Sequence, residues 1–288
     1  MKRILVPTDF SACANKAAKT AMNIAKMSGG EIHFLHFMPI PINWIQMEKG
    51  QETMYPDITK DVNEAKVELG KLVAEAERFG VHATQYLGYN ESSTNIIDHI
   101  EENHISMVVM GSHGASGFRE LFMGSNAQKI VRLSPVPVLI IKKDMNQVNK
   151  ANIIFVSDFE TEAIQPFEGL MSLAEVLSAK VHLVYINTPS YFTDTWEIQR
   201  RMEPFRVMCG NRLGQIKTVN TYVFEDGLEK FCGSFENGIV TMATHGRQGV
   251  SRMFYGSMAE KVVNHVSIPV LSLKIPQEHG EVYLEAYV

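Results

Sequence analysis

A doubly wound α/β architecture, built twice in tandem along one chain, is the fold class this sequence predicts. Three observations carry it. Short β-rich apolar runs alternate with longer stretches of helical period, the opening segment returns near residue 153, and a glycine-bearing segment near residue 111 returns near residue 243. Alternation of that kind is the signature of βαβ units and a parallel sheet. A period of roughly 140 residues is far too long for a solenoid and reads as duplicated domains.

In the first copy, strands are expected over 3–8, 31–38, 82–88, 106–111 and 136–142. Helices are expected over 12–28, 57–79, 92–103 and 124–133. In the second of these, Val62, Ala65, Leu69, Leu72 and Ala76 recur at three-to-four spacing, as one buried helix face requires. The second copy repeats the strands over 152–157, 180–186, 216–223, 238–243 and 269–274. Each copy is therefore a five-stranded doubly wound unit. The segment Lys142-Lys143-Asp144-Met145-Asn146-Gln147 is mostly polar and aperiodic, which sets the expected domains at 1–146 and 147–288.

The repeat is legible residue by residue. Ile4-Leu5-Val6-Pro7-Thr8-Asp9-Phe10 answers Ile153-Ile154-Phe155-Val156-Ser157-Asp158-Phe159, each an apolar run closed by a hydroxyl residue, Asp and Phe. Gly111-Ser112-His113-Gly114 through Gly124-Ser125 answers Ala243-Thr244-His245-Gly246 through Gly256-Ser257 at equal spacing, with roughly nine identities in about 21 positions. Both copies close alike, Pro135-Val136-Pro137-Val138-Leu139 against Ser267-Ile268-Pro269-Val270-Leu271.

Composition narrows the function. The 288 residues are 45% hydrophobic and 20% charged, a globular composition with enough apolar material to fill a core. A net charge of -5 without a Lys or Arg run argues against a nucleic-acid partner. Cys13, Cys209 and Cys232 stand too far apart for a disulfide framework or a C-x-x-C metal site. The apolar run at the start is short for a signal peptide and no stretch approaches a membrane span, so a soluble cytoplasmic protein is expected.

The chemistry gathers around the glycines. Ile105-Ser106-Met107-Val108-Val109-Met110 is a buried-strand run that empties into Gly111-Ser112-His113-Gly114. Glycine lets the backbone turn sharply and approach a ligand closely. Gly124-Ser125-Asn126 then opens a helix, with free NH groups, a positive dipole end and the Ser125 hydroxyl. Two sets of donors converge on one anion, a polyphosphate. Asp9 closes the first strand at the same sheet edge, where it accepts from ribose hydroxyls or holds a Mg ion bridging the phosphates. Pro7, Thr8 and Phe37 border the base, and Met110 and His113 flank the loop. His113 equally suits packing or capping of loop carbonyls.

This pattern, G-x-x-G, nine residues, G-[ST], after an opening I-L-V-P-T-D-F-S, resembles the universal stress proteins in both copies. The resemblance implies a 3-2-1-4-5 sheet and ATP or ADP binding. It also implies pairing through the last strand, as an intramolecular pseudo-dimer and as a homodimer. By position it places the phosphate loop on Gly111, Gly114, Gly124 and Ser125 and the ribose-side aspartate on Asp9. The second copy departs from it: Ala243 stands for the first glycine and Val156 for Pro7, while Ser157, Asp158, Gly246, Gly256 and Ser257 remain. If Gly111 takes a positive φ, alanine there costs about 1 kcal/mol, which weakens a second site without abolishing it. Arg247 and Arg252 add phosphate-gripping charge that Ala115 and Glu120 lack.

Plainer roles stand beside these. Asp9, Asp158 and Ser11 each precede a helix and suit N-capping. His33 and His36 point to opposite strand faces and cannot share a zinc ion. His99 and His104, among Asp98, Glu101 and Glu102, read as a solvated surface, and Met107, Met110 and Met123 as core filler. A serine hydrolase is a rival, since Ser112 lies near a G-x-S-x-G elbow, but Met110 spoils the first glycine. An ATP-cleaving ligase lacks a Walker or S-G-G-x-D-S loop. An interaction module without nucleotide is the remaining alternative. Period-two alternation over 281–288 and the long apolar stretch from Pro39 to Pro56 offer it surfaces. The expected function is a stress-response sensor that binds ATP or ADP with little or no turnover, any hydrolysis being slow because no general base is evident.

Overall fold

A computed structural model of the protein describes residues 2–41, 55–89, 93–112, 124–143, 145, 148–244 and 262–275. The first half runs β1 (Arg3–Pro7), α1 (Ala12–Ser28), β2 (Glu31–Met38), α2 (Pro56–Arg78), β3 (Ala83–Tyr89), α3 (Ser93–Glu102), β4 (Met107–Gly111), α4 (Ser125–Leu133) and β5 (Val138–Ile141). The second half runs β6 (Asn152–Val156), α5 (Ile164–Val176), β7 (Lys180–Asn187), α6 (Thr195–Cys209), β8 (Leu213–Asn220), α7 (Phe224–Cys232), β9 (Gly238–Thr244) and β10 (Val270–Lys274). A helical turn over 262–265 precedes β10.

Local chemistry explains the first helices. Ser11 is extended (φ -63, ψ 162) and its hydroxyl accepts from Ala14 N, so it is the N-cap of α1. Gly29, left-handed at φ 64, ends the helix. The buried face of α1 is mostly small, Ala14, Ala17, Ala18, Ala21 and Ala25 with Ile24, which lets the helix lie close on the sheet. α2 starts with Pro56 in its first turn and buries Val62, Ala65, Leu69, Leu72 and Ala76, the five residues whose spacing predicts its inner face.

Among the described residues the strands form one sheet in the order β3-β2-β1-β4-β5-β10-β9-β6-β7-β8. Each half has the 3-2-1-4-5 order with parallel neighbours, and the halves meet where β5 runs antiparallel to β10. The register is duplicated along with the sequence. Ile4 pairs with Ile32 and Met107, and its counterpart Ile153 pairs with Val181 and Ile239. At the junction Val138 pairs with Ser272, Leu139 with Leu271 and Ile140 with Val270. Leu139 and Leu271 are counterparts in the repeat, so each faces its own copy on a local twofold. Two further counterparts cross this junction. Lys142 Nζ donates to Val266 O at 2.7 Å and Lys274 Nζ to Arg132 O at 3.1 Å, each capping a helix end of the opposite half. Burial pushes the Lys142 ammonium down to about 8.

The apolar cores ignore the boundary. One cluster joins Ile4, Val6, Val109 and Leu139 to Ile153, Phe155, Leu271 and Leu273 on a single sheet face, and a second covers the other face of both halves. β8 is the one strand that departs clearly from its expected span: it occupies Leu213–Asn220, not 216–223. It is an outer edge strand, mostly exposed and fed by a 3-10 turn over Gly210–Arg212, so no buried pattern marks its ends. Most of the apolar stretch from Pro39 to Pro56 and all of 281–288 lie outside the described residues.

Candidate functional site

The order of strands reverses at β1 and β4, and the carboxyl ends of these two strands are where such a sheet receives ligands. β1 ends at Pro7, paired with Leu35, and Thr8 N still donates to Leu35 O at 2.9 Å. The next residues make a tight turn held by their own side chains. Thr8, buried, accepts from Phe10 N at its hydroxyl (3.0 Å), and Asp9 Oδ1 accepts from Ser11 N (3.1 Å). Phe10 sits at φ 62, a left-handed conformation that costs a non-glycine residue about 1 kcal/mol. Its ring lies 4.5 Å from that of His36, whose Nδ1–H donates to Thr8 O at 2.7 Å. Asp9 thus belongs to an Asx turn, and Ser11 alone caps α1.

The second half repeats the device. Phe159 N donates to Ser157 Oγ (2.9 Å), Glu160 N to Asp158 Oδ1 (3.4 Å), and Phe159 has φ 56. Backbone strain kept in both copies marks these turns as held by their surroundings. Burial raises the Asp158 carboxyl above the ordinary range, helped by the charges of Glu160 and Glu162 and opposed by the backbone bond from Glu160. Those two glutamates stand where the first half has Ser11 and Cys13.

At the end of β4, Gly111 is not left-handed, so the condition for a backbone penalty at Ala243 is not met. Gly111 is glycine for want of room: a Cβ would lie 2.9 Å from Cys13 Sγ, 3.1 Å from Cys13 C and 3.2 Å from Ala14 N. The first turn of α1 is packed directly on the strand end. Ala243 holds the matching place, buried, in a half where the helix opens with a 3-10 turn over Thr161–Ala163 before α5 begins. Beyond Gly111, Ser112 N donates to Ile141 O (3.1 Å) and Gly124 N donates to Ser112 O (2.9 Å), so the strand exit and the helix entry are tied together. Gly124 is the N-cap of α4 with no side chain to offer, and helix geometry leaves the first-turn NH groups of Ser125, Asn126 and Ala127 without an intrahelical acceptor.

The remaining expected residues divide as follows. Phe37 is half-buried and its ring covers Gly88 on β3, where a Cβ would come within 2.3 Å of it. Met110 is core, packed on the face of α3 and α4. His113 and Gly114, and in the second half Gly246, Arg247, Gly256 and Ser257, lie outside the described residues. Ser112 is 1% exposed with Cys13 Sγ 3.8 Å from its hydroxyl, a poor position for a hydrolytic nucleophile. His99 is a correction. It is no solvated surface residue but stacks edge-on with Tyr86 and meets His33, because it shares a helix face with Ile96 and Ile100. Cys13 was not among the expected site residues. Its place beneath Gly111 arises through space and left no mark in the sequence.

Comparison with known proteins bears on the family and the fold. The Universal stress protein family model fits residues 1–142 and 226–274, together well over half of the chain. Universal stress protein YxiE of Bacillus subtilis is 30% identical over 145 residues, 49% of this chain and 98% of its own length, so it corresponds to one copy. Universal stress protein Slr1230 of Synechocystis is 20% identical over 294 residues and spans 95% of this chain and all of itself. A universal stress protein structure from Archaeoglobus fulgidus superposes with a TM-score of 0.72 at 19% identity, over 95% of this chain and 98% of that one. This chain belongs to the universal stress protein family.

Proposed function

We propose that the chain is an adenine-nucleotide-binding regulator of the stress response, holding ATP or ADP in its N-terminal half and turning it over slowly or not at all. The observation that carries this is the convergence of three features at one sheet edge: the Thr8-Asp9-Phe10 turn, the strand exit at Gly111-Ser112, and the glycine-capped start of α4 tied to it by the bond from Gly124 to Ser112. First-turn NH groups and the helix dipole favour a phosphate there. The loop glycine Gly114 supplies further backbone donors in this reading, and Asp9 takes the ribose or a nucleotide-bound Mg ion. Pro7, Thr8 and Phe37 line the approach of the base.

The C-terminal half is the weaker binder in this reading. It has Ala243 at the close-approach position and the carboxylates of Glu160 and Glu162 beside Asp158. Like charge near a phosphate is unfavourable, and Arg247 offsets it only in part. Calorimetric titration of the intact protein with ATP and with ADP, with and without Mg, tests the proposal. Binding that disappears in Gly114→Val while the circular dichroism spectrum is kept supports it. Unchanged affinity in that variant refutes the assignment of the loop.

A further inference from the structure

A buried polar cluster lies away from the candidate site, between the sheet and α3. His33 on β2 is 5% exposed, and its Nδ1 is 3.4 Å from His99 Nε2 on α3. The Tyr86 ring on β3 stacks on His33 at 4.8 Å and meets His99 edge-on at 4.6 Å. Asn103 Nδ2 approaches His99 Nδ1 at 3.4 Å. Arg3 on β1 completes the cluster, bonding Glu31 Oε1 at 2.6 Å and Asn103 O at 2.9 Å. Elements β1, β2, β3 and α3 are thus joined at one point.

The donors order the protons. An amide NH from Asn103 directed at His99 Nδ1 leaves the His99 proton on Nε2, where it is donated to His33 Nδ1. The His33 proton is then on Nε2, 3.9 Å from Glu31 Oε1. The His33–His99 and His99–Asn103 contacts each have one donor and one acceptor while both rings are neutral. A proton added at His33 Nδ1 faces the His99 N–H, and one added at His99 Nδ1 faces the Asn103 amide, so either sets two donors against each other in a buried place.

We propose that His33 and His99 are an acid-sensitive latch, fastening α3 to the sheet at neutral pH and releasing it as the medium acidifies. The neighbouring charges do not rescue the protonated pair. Glu31 favours a charged His33, but its carboxylate is already engaged by Arg3; Arg3 and His82 oppose that charge. Asp98, Glu101 and Glu102 on α3, and Lys129 and Arg132 on α4 beside it, are exposed. Burial, then the charge of His33, holds His99 down at about 4, and burial also lowers His33. A His whose folded value lies below its unfolded value of about 6.5 stabilises the folded state above that pH. The contribution is lost as pH falls through the window down to about 4.

The C-terminal half has no such latch on its helix. His182 replaces His33, but Phe231 and Phe235 stand in the places of His99 on α3 and Asn103 just after it. His182 Nδ1 accepts from Gln215 N (3.0 Å) and its Nε2–H donates to Asn152 Oδ1 (3.1 Å), while Phe235 packs on the ring at 4.5 Å. That histidine ties strands together, and α7 is held by apolar contact.

Hydrogen exchange on the intact protein without nucleotide tests the latch, whichever way the nucleotide reading falls. After correction for intrinsic rates, α3 amides should lose about 30-fold protection relative to α7 between pH 7.5 and pH 5 from His99 alone, by proton linkage. His99→Phe with Asn103→Phe should abolish that difference. Ring NMR of the wild-type histidines provides the second arm should the variant fail to fold. His99 silent down to about pH 5 supports the latch; titration near 6.5, or equal pH dependence of α3 and α7, overturns it.

Discussion

The two halves of this chain share a strand order and most strand registers, and differ in the side chains that crowd or charge them. Strand registers match counterpart for counterpart except at β7–β8, where a shift between Val181 and Leu183 has no equal in β2–β3, and the turns Thr8-Asp9-Phe10 and Ser157-Asp158-Phe159 match down to a strained phenylalanine in each. What differs is Gly111 against Ala243, Ser11 and Cys13 against Glu160 and Glu162, and His99 against Phe231. The strand pairings are largely common to the two halves, while the side chains around the strand ends β1 and β4, and β6 and β9, differ. The family model matches the first half throughout and the second from residue 226, leaving out β6 to β8.

The sharpest way to break the symmetry argument is at the twofold. Leu139 and Leu271 are buried counterparts facing each other, so Leu139→Ala and Leu271→Ala should each cost about 2–5 kcal/mol, with similar values, in urea unfolding. Their double variant should be non-additive, because the residues touch. Unequal single costs would show that the junction is not symmetric in energy. Next in size is the close approach on α1. Gly111→Ala should lose about 1–3 kcal/mol from overpacking against Cys13 and Ala14. The reverse change, Ala243→Gly, should lose only about 0.5–1 kcal/mol, chiefly backbone entropy.

A smaller effect is expected at the helix start. Ser11→Ala removes the cap on Ala14 N and should cost about 1 kcal/mol by thermal unfolding, whereas Glu160→Ala removes no cap. The least is expected of Asp158→Asn. The folded state holds the Asp158 carboxyl above its ordinary range, so its ionised form destabilises at neutral pH. The amide removes that penalty, and the melting temperature should rise at pH 7 with a gain that vanishes at pH 4 or below. A loss at pH 7 would mean that the charge is satisfied there.

How much was legible in the sequence follows from what periodicity records. α1, α2 and the inner strands bury whole faces, and their spans are written in the spacing of Val62 to Ala76 or the run at Val108-Val109-Met110. β8 buries little, so its start is set by the preceding 3-10 turn and not by pattern. His99 illustrates a neglected signal: it stands three residues after Ile96 and beside Ile100, on the buried face, and the acidic neighbours that made it look solvated occupy the other faces. Gly111 shows a limit of another kind. Its glycine is obvious, but the reason, the body of α1 against the strand end, exists only in three dimensions. For the site, the repeated Thr or Ser, Asp and Phe marked the end of the first strand of each copy, but the turn these residues make through their own side chains was not read from the sequence, where Asp9 suited a ligand contact or an N-cap.

Native mass spectrometry of the intact chain with ATP or ADP tests the central claim most directly, because it counts nucleotides. The account predicts one adenine nucleotide bound per chain at low micromolar protein, lost in Gly114→Val and retained in Gly246→Val. No nucleotide at any concentration, or loss in Gly246→Val alone, would contradict it.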